Sequence, residues 1–364
     1  MDIEEKNLLT PSQFTFTLVS SMIGTGVLTL PNDVIKAAKQ DGWISCIIGG
    51  IYPIYIFVLA YLVSKRFPKS NLFVLSKKCF GKLLGNIFNV IFISYCILEA
   101  AFILSGFGNV FRIYAAPFLR SYQVILPILI VPAFISFKSI VSLGRFNKII
   151  FYLTIFLVFM PIGVFKQSSV LNIMPIGDTG IVSIMKGAKE TAYSYSGIEL
   201  IFLLYPLLEE KKKFLKCSSA SIGITIFVYT WVTFLAIFYL GIDISPKFFW
   251  PTIALADSIN IPIINSFRFI FISFWALVMI KGLATYYYAS CYTWSLLVKR
   301  MSKKTFAVLI YLPIAYIAMR LGNPTLRGWC VNKTIPYYVA FNIIFLSVLA
   351  FLCHFKKGDI SEKN

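Results

Sequence analysis

Met22-Ile23-Gly24-Thr25-Gly26-Val27-Leu28-Thr29-Leu30-Pro31 places two glycines, two threonines and a proline inside the first long apolar run of the chain. In lipid, backbone polar groups must be satisfied within the protein or by whatever fills a cavity, so such a run should be unbroken helix. Gly24 and Gly26 free the backbone to leave helical angles and let another molecule approach closely. A helix broken here exposes N–H groups at the start of its second half, a good seat for a carboxylate. That is the binding-site design of membrane proteins built on inverted repeats, with the site near the bilayer midplane. The competing reading is close helix packing through small residues.

The surroundings of this stretch fit a membrane. Of 364 residues, 58% are hydrophobic and 13% charged, and the mean hydropathy is +0.80, too apolar for a water-soluble fold. The net charge of +19 sits in short loops between apolar runs, where it orients helices and meets anionic lipid; nucleic-acid binding is therefore not expected. The acidic start Met1-Asp2-Ile3-Glu4-Glu5-Lys6 gives no cleavable signal peptide. Seven cysteines (Cys46, Cys79, Cys96, Cys217, Cys291, Cys330, Cys353) are scattered without a C-x-x-C pair, and His354 is the single histidine. Neither a disulfide framework nor a metal site is supported, and no cofactor is expected. No nucleophile–base set or phosphate loop marks an enzyme.

Ten spans follow from hydropathy, near 12–37 (interrupted), 43–64, 85–115, 122–137, 146–165, 183–208 (interrupted), 217–241, 265–298, 304–320 and 334–354. Starting inside, the inner segments carry Lys6, then Lys65, Arg66, Lys69, Lys77, Lys78 and Lys82, then Lys138, Arg145 and Lys148. Lys211, Lys212, Lys213 and Lys216 follow, then Lys299, Arg300, Lys303 and Lys304, and finally Lys356, Lys357 and Lys363. These are most of the 34 basic residues, so both termini are expected in the cytoplasm. The fold class expected is all-α integral membrane: ten transmembrane helices in a five-plus-five inverted repeat, about 10–166 and 180–355, in one domain. Helices 1 and 6, the first of each half, are the broken ones. Gly24-Thr25-Gly26 interrupts one and Tyr193-Ser194-Tyr195-Ser196-Gly197-Ile198-Glu199 the other, and matched breaks point to a midplane site. Gly49, Gly50, Gly106 and Gly108 dilute this signal, because glycine is common in membrane helices.

Glu99, Glu199 and Lys281 lie deep in spans. At about 1.5 Å rise per residue, Glu99 and Lys281 are each roughly 20 Å or more from flanking charges, too deep to snorkel. Buried membrane charges are usually paired and mark function. Glu99 and Lys281, in the equivalent spans three and eight, are candidates for an intramembrane ion pair; a purely structural pair is the alternative. Glu199 is a second partner for Lys281, or else meets a ligand ammonium. Tyr286-Tyr287-Tyr288 reads as packing more readily than as cavity lining. Lys211-Lys212-Lys213 reads as a topology signal, and Pro53, Pro161 and Pro206 as kinks.

The first break resembles the amino acid–polyamine–organocation transporter superfamily, whose first helix carries a similar glycine-rich run before a proline. More closely, the chain resembles the B subunit of bacterial spore germinant receptors, the GerAB-type spore germination proteins. The resemblance runs through Leu9-Thr10-Pro11-Ser12-Gln13, Ile23 to Pro31, Asp41-Gly42-Trp43-Ile44, Lys65-Arg66-Phe67-Pro68, Phe80-Gly81-Lys82-Leu83-Leu84-Gly85, Ser196-Gly197-Ile198-Glu199 and Phe267-Arg268 with Trp275. It departs at Gly42, where the family usually has alanine or a similar small residue, and at Ser266-Phe267, where an acidic residue more often precedes the arginine. The resemblance implies a receptor subunit of the spore inner membrane that senses a small nutrient, commonly an L-amino acid. An A subunit and a lipoprotein C subunit would be its partners, besides the lipid bilayer. The superfamily fold puts spans three and eight in the scaffold, with Lys281 as a fixed positive charge where sodium-coupled relatives hold an ion.

The site expected is one for a small zwitterion. Its carboxylate meets N–H groups around Gly24, Thr25 and Gly26; its ammonium meets carbonyls near Ser194, Ser196 and Gly197, with Tyr193 and Glu199 beside them. Three functions remain open on this reading: a receptor whose ligand shifts a conformational equilibrium, an amino-acid permease, proton-coupled or not, and an assembly scaffold with a vestigial site. The germination-type motifs favour the receptor.

Overall fold

The chain folds as helices joined by short turns in a computed structural model that describes residues 8–259, 267–298 and 300–359. Among the described residues seventeen α-helices follow in order: α1 Pro11–Met22, α2 Gly26–Ala38, α3 Gly42–Gly49, α4 Ile51–Arg66, α5 Leu72–Tyr114, α6 Ser121–Phe137, α7 Ile140–Thr154, α8 Phe156–Phe159, α9 Gly180–Glu190, α10 Ala192–Tyr195, α11 Ile201–Leu204, α12 Phe214–Ile244, α13 Pro251–Asp257, α14 Phe267–Leu297, α15 Lys303–Leu309, α16 Tyr311–Arg320 and α17 Pro324–Phe355. Each of the ten expected spans is helical over most of its length. Met1 to Lys6, Ser266, Lys299 and Lys363 lie outside the described residues.

Six helical stretches among the described residues are long and apolar enough to cross a membrane: Gly26–Arg66, Leu72–Tyr114, Ile140–Gln167, Lys211–Lys247, Phe267–Leu297 and Pro324–Phe355. The first of these folds back at Lys39–Asp41, where Lys39 takes a positive φ of 47°. Ser121–Phe137 is a shorter apolar helix. The other expected spans are assembled from pieces, because breaks divide them.

Local chemistry sets several of these boundaries. Thr10 and Gln13 form a reciprocal cap at the start of α1, with Pro11 in its first turn. Gly81, at φ 79°, turns the chain between the first two turns of α5 and its long remainder. The two parts then pack so closely that a Cβ on Gly85 would stand 2.8 Å from the backbone of Ser76 and Lys77. That accounts for both glycines of Phe80-Gly81-Lys82-Leu83-Leu84-Gly85. Buried Asp41 accepts from Gly177 N (2.7 Å), Thr179 N (3.2 Å) and Thr179 Oγ1 (2.6 Å), tying the α2–α3 turn to the segment before α9. Arg268 pairs with Asp257 at 3.1 Å, and Trp275 stacks on Phe107.

The core is built around α14, which packs against α5, α6 and α7, and around α1, which packs against α7, α12 and α14. Span ten departs from expectation. It begins at Pro324, ten residues before the expected 334, because Asn323 accepts from the N–H groups of Thr325 and Leu326 and caps the helix there.

Candidate functional site between two helix breaks

Both expected interruptions are present. α1 ends at Met22, Ile23 is extended, and α2 starts at Gly26. Among the described residues, none of the N–H groups of Gly24, Thr25, Gly26 and Val27 makes a backbone hydrogen bond. The second break falls after α10, where Ser196 is extended and Gly197 takes φ 104°. A Cβ on Gly197 would strike the Ser21 carbonyl and the Tyr286 hydroxyl. The breaks therefore meet at van der Waals contact, which explains why a glycine is needed at the second.

Hydroxyls join them. Thr25 Oγ1 lies 3.1 Å from Tyr193 Oη. Tyr229, from α12, offers its hydroxyl to Met22 O (2.7 Å) and Ser194 O (2.9 Å), one carbonyl from each break. Tyr286, from α14, donates to Ser21 O at 3.0 Å. A Cβ on Gly26 would stand 2.6 Å from Ser194 Oγ and 3.1 Å from Tyr229 Oη.

Between the breaks lies a cavity lined by the expected Gly24, Thr25, Gly26, Tyr193, Ser194 and Ser196. Ser21, Met22, Glu99, Ile103, Tyr229 and Tyr286 complete its wall. Its free volume of about 20 Å³ has room for a water and far too little for an amino acid. Tyr286 thus faces the cavity, whereas Tyr287 donates to Ala307 O (2.5 Å) and Tyr288 packs under the Lys303 ammonium. Lys211 donates to the carbonyls of Tyr205 (3.1 Å) and Pro206 (2.6 Å), capping the end of the second broken span.

The two buried acids differ. Glu199 turns away from the cavity and accepts from four donors: Gly197 N (2.6 Å), Tyr95 Oη (3.2 Å), Asn342 Nδ2 (3.3 Å) and the Tyr52 hydroxyl. Glu99 faces the cavity with one long contact, 3.4 Å from Ser196 Oγ. The carbonyls expected to receive an ammonium are partly engaged, Ser194 O by Tyr229 and Gly197 O by Leu200 N. Glu99 is the acidic side chain on the cavity wall.

The Glu99–Lys281 ion pair is not formed, which corrects that expectation. α5 and α14 do pack together, but the two side chains leave them on different sides. Lys281 points into a second, mainly apolar cavity shared with Ile23, Thr154 and Trp275, its ammonium 5.3 Å from the centre of the Phe151 ring.

The sequence reading did not single out Arg327. It donates from Nη2 to Thr25 Oγ1 (2.9 Å) and Tyr193 Oη (3.3 Å), and from Nε to Phe102 O (3.0 Å). Residues 324–333 read as loop, yet Asn323-Pro324 is a helix-start signal that would have placed this arginine in a span. Arg327 and Tyr193 also line a vestibule of about 440 Å³ at the end of the bundle where α17 begins.

Two broken helices facing each other across a buried cavity define a class of all-helical membrane fold that solved transporter structures share. Solved structures agree: the chain is similar to MhsT in complex with L-phenylalanine (TM-score 0.66, 14% identity, 94% of this chain and 87% of that one). It is likewise similar to a substrate-bound Na+-coupled sialic acid symporter (TM-score 0.67, 10% identity, 95% and 77%). Within that fold, residues 8–326 match the model of the spore germination protein family, and the chain belongs to that family. Similar relatives include spore germination protein YndE of Bacillus subtilis, 25% identical over 85% of this chain and 86% of the relative. GerQB of Bacillus cereus is 24% identical over 76% of each chain. Spore germination protein B2 of B. subtilis is 25% identical over 73% of each.

Proposed function

We propose that this chain is the nutrient-binding membrane subunit of a germinant receptor. A small zwitterion, an L-amino acid, binds between the two breaks, its carboxylate on the N–H groups of Thr25, Gly26 and Val27 and its ammonium on Glu99. One observation carries the reading: N–H groups at a helix start, those of Thr25 and Gly26, lack a backbone acceptor among the described residues and share a cavity with a buried carboxyl that has one weak contact. Each end of a zwitterion finds its complement there. Lys281 places its amine in the adjoining cavity, beside the first break.

The cavity is too small for this ligand as it stands, so binding needs the breaks to separate. A ligand that fits only the separated arrangement shifts the equilibrium by its differential affinity, and A and C subunits read that shift. Both termini lie in the cytoplasm, in the spore inner membrane, with the repeats at about 10–166 and 180–355. The vestibule then faces outward. The second reading is an amino-acid permease, possibly coupled to protons, which the likeness to transporter structures favours.

Thermal melts of the detergent-purified chain against a panel of L-amino acids test the reading. A ligand at 100 times its Kd adds about 2.7 kcal/mol of stability. Any hit then goes to uptake in proteoliposomes. Binding without uptake supports the receptor; saturable uptake supports the permease. A panel with no stabilising member overturns the nutrient site.

A further inference from the structure

Between the closed cavity and the 440 Å³ vestibule stands one layer of side chains, and Arg327 holds it together. Its guanidinium reaches three separate elements: Thr25 in the first break, Tyr193 beside the second, and the Phe102 carbonyl of α5. Thr25 and Tyr193 line the cavity on one side, while Tyr193 and Arg327 line the vestibule on the other. Gly106 of α5 makes the room. A Cβ there would stand 2.5 Å from the Thr25 methyl and 3.0 Å from Arg327 Nη2. Arg327 is 7% exposed, and its Nη1 has no hydrogen-bond partner among the described residues, an arrangement with one charged donor uncommitted.

The vestibule carries Lys36, Lys247 and Arg327 against a single acid, Asp33, a balance that draws an anion. A carboxylate reaching Arg327 offers a planar, charged, two-point acceptor in exchange for contacts to neutral oxygens, and such pairs are the stronger ones.

We propose that Arg327 is a carboxylate-operated latch: the vestibule is an entry site for carboxylate-bearing solutes, and a carboxylate bound there draws the guanidinium off Thr25 and Tyr193 and opens the cavity. The carboxylate class rests on the nutrient reading above; the latch itself does not.

The test needs no known ligand. Ser194→Cys, in a Cys330→Ser background, reports access to the cavity through its rate of reaction with a membrane-impermeant maleimide, applied to intact cells and to inverted vesicles of the full chain. Arg327→Gln should raise labelling about tenfold or more, from the vestibule face alone. Thr25→Val with Tyr193→Phe keeps the arginine and removes two of its acceptors; it should raise labelling likewise, and it guards against a fold lost with the charge. Unchanged labelling in both variants, or a rise from the opposite face, overturns the latch. Acetate should speed labelling of the otherwise unaltered reporter and acetamide should not; equal effects of the two overturn the carboxylate trigger while leaving the latch result to stand. Failure of the amino-acid panel leaves the maleimide comparison readable, so the two proposals fail separately.

Discussion

The two helix breaks face each other across one cavity and are built to opposite ends. At the second break everything is committed. Gly197 sits at φ 104°, its N–H goes to Glu199, and Glu199 is held in turn by Tyr52, Tyr95 and Asn342. At the first break the Ser21 and Met22 carbonyls and the Thr25 hydroxyl are engaged, but the N–H groups of Thr25, Gly26 and Val27 lack a backbone acceptor among the described residues. Gly24 has ordinary space around it, with Ile103 at 3.8 Å as the nearest atom to an added Cβ. One break is a fixed wall; the other has donors to give. A ligand therefore gains most at the first break and pushes against the second.

The comparison is broken most directly at Gly197. An alanine there combines left-handed backbone strain with overlap on Ser21 and Tyr286, each worth about 1–3 kcal/mol. Gly197→Ala should cost about 3 kcal/mol or more, read as a lost or strongly lowered melt of the purified protein. A melt like that of the unaltered chain would sink the idea of a fixed second break. Glu199→Gln comes next. An amide nitrogen would face donors that now point at a carboxylate oxygen, a loss of about 2–3 kcal/mol, while the cavity itself keeps its lining.

Much of this was legible in the sequence, and the reasons are physical. Gly24-Thr25-Gly26 and Ser196-Gly197 announce breaks because lipid forbids them elsewhere. Thr10-Pro11 with Gln13 announces a capped start, since each residue type answers a specific unpaired donor. The roles of the buried charges were not legible. Helical spacing sets the depth of Glu99, Glu199 and Lys281 but not the direction in which each side chain leaves its helix, so the Glu99–Lys281 pair was expected and is absent. Arg327 was hidden for a different reason. It lies one turn inside a helix whose first ten residues include Arg327, Asn332 and Lys333, so hydropathy alone starts the span too late and leaves the arginine in a loop.

Gly26 and Glu99 sharpen the contrast at the first break. Gly26→Ala crowds Ser194 and Tyr229 and should cost about 1–2 kcal/mol; the bulkier Gly26→Leu should abolish the amino-acid response at normal abundance. Normal response at normal abundance would remove this break from the site. Glu99→Gln should leave the melt within about 1 kcal/mol, since Glu99 has one long hydrogen bond, yet weaken amino-acid binding about tenfold or more. If Glu99→Gln instead destabilises as much as Glu199→Gln, the two acids share a structural role and the ammonium has no seat.

Gly24→Ala carries the smallest expected change and separates two uses of glycine. Its backbone is outside the left-handed region and its nearest neighbour is at ordinary contact distance, so folding gives no reason for glycine at this position. The melt should move by about 0.5 kcal/mol or less. Any larger effect must then appear in binding, because an added methyl matters only to something that approaches the exposed backbone more closely than Ile103 does. A lowered melt with unaltered ligand affinity would make Gly24 a packing glycine and return the first break to the small-residue reading with which its sequence also agrees.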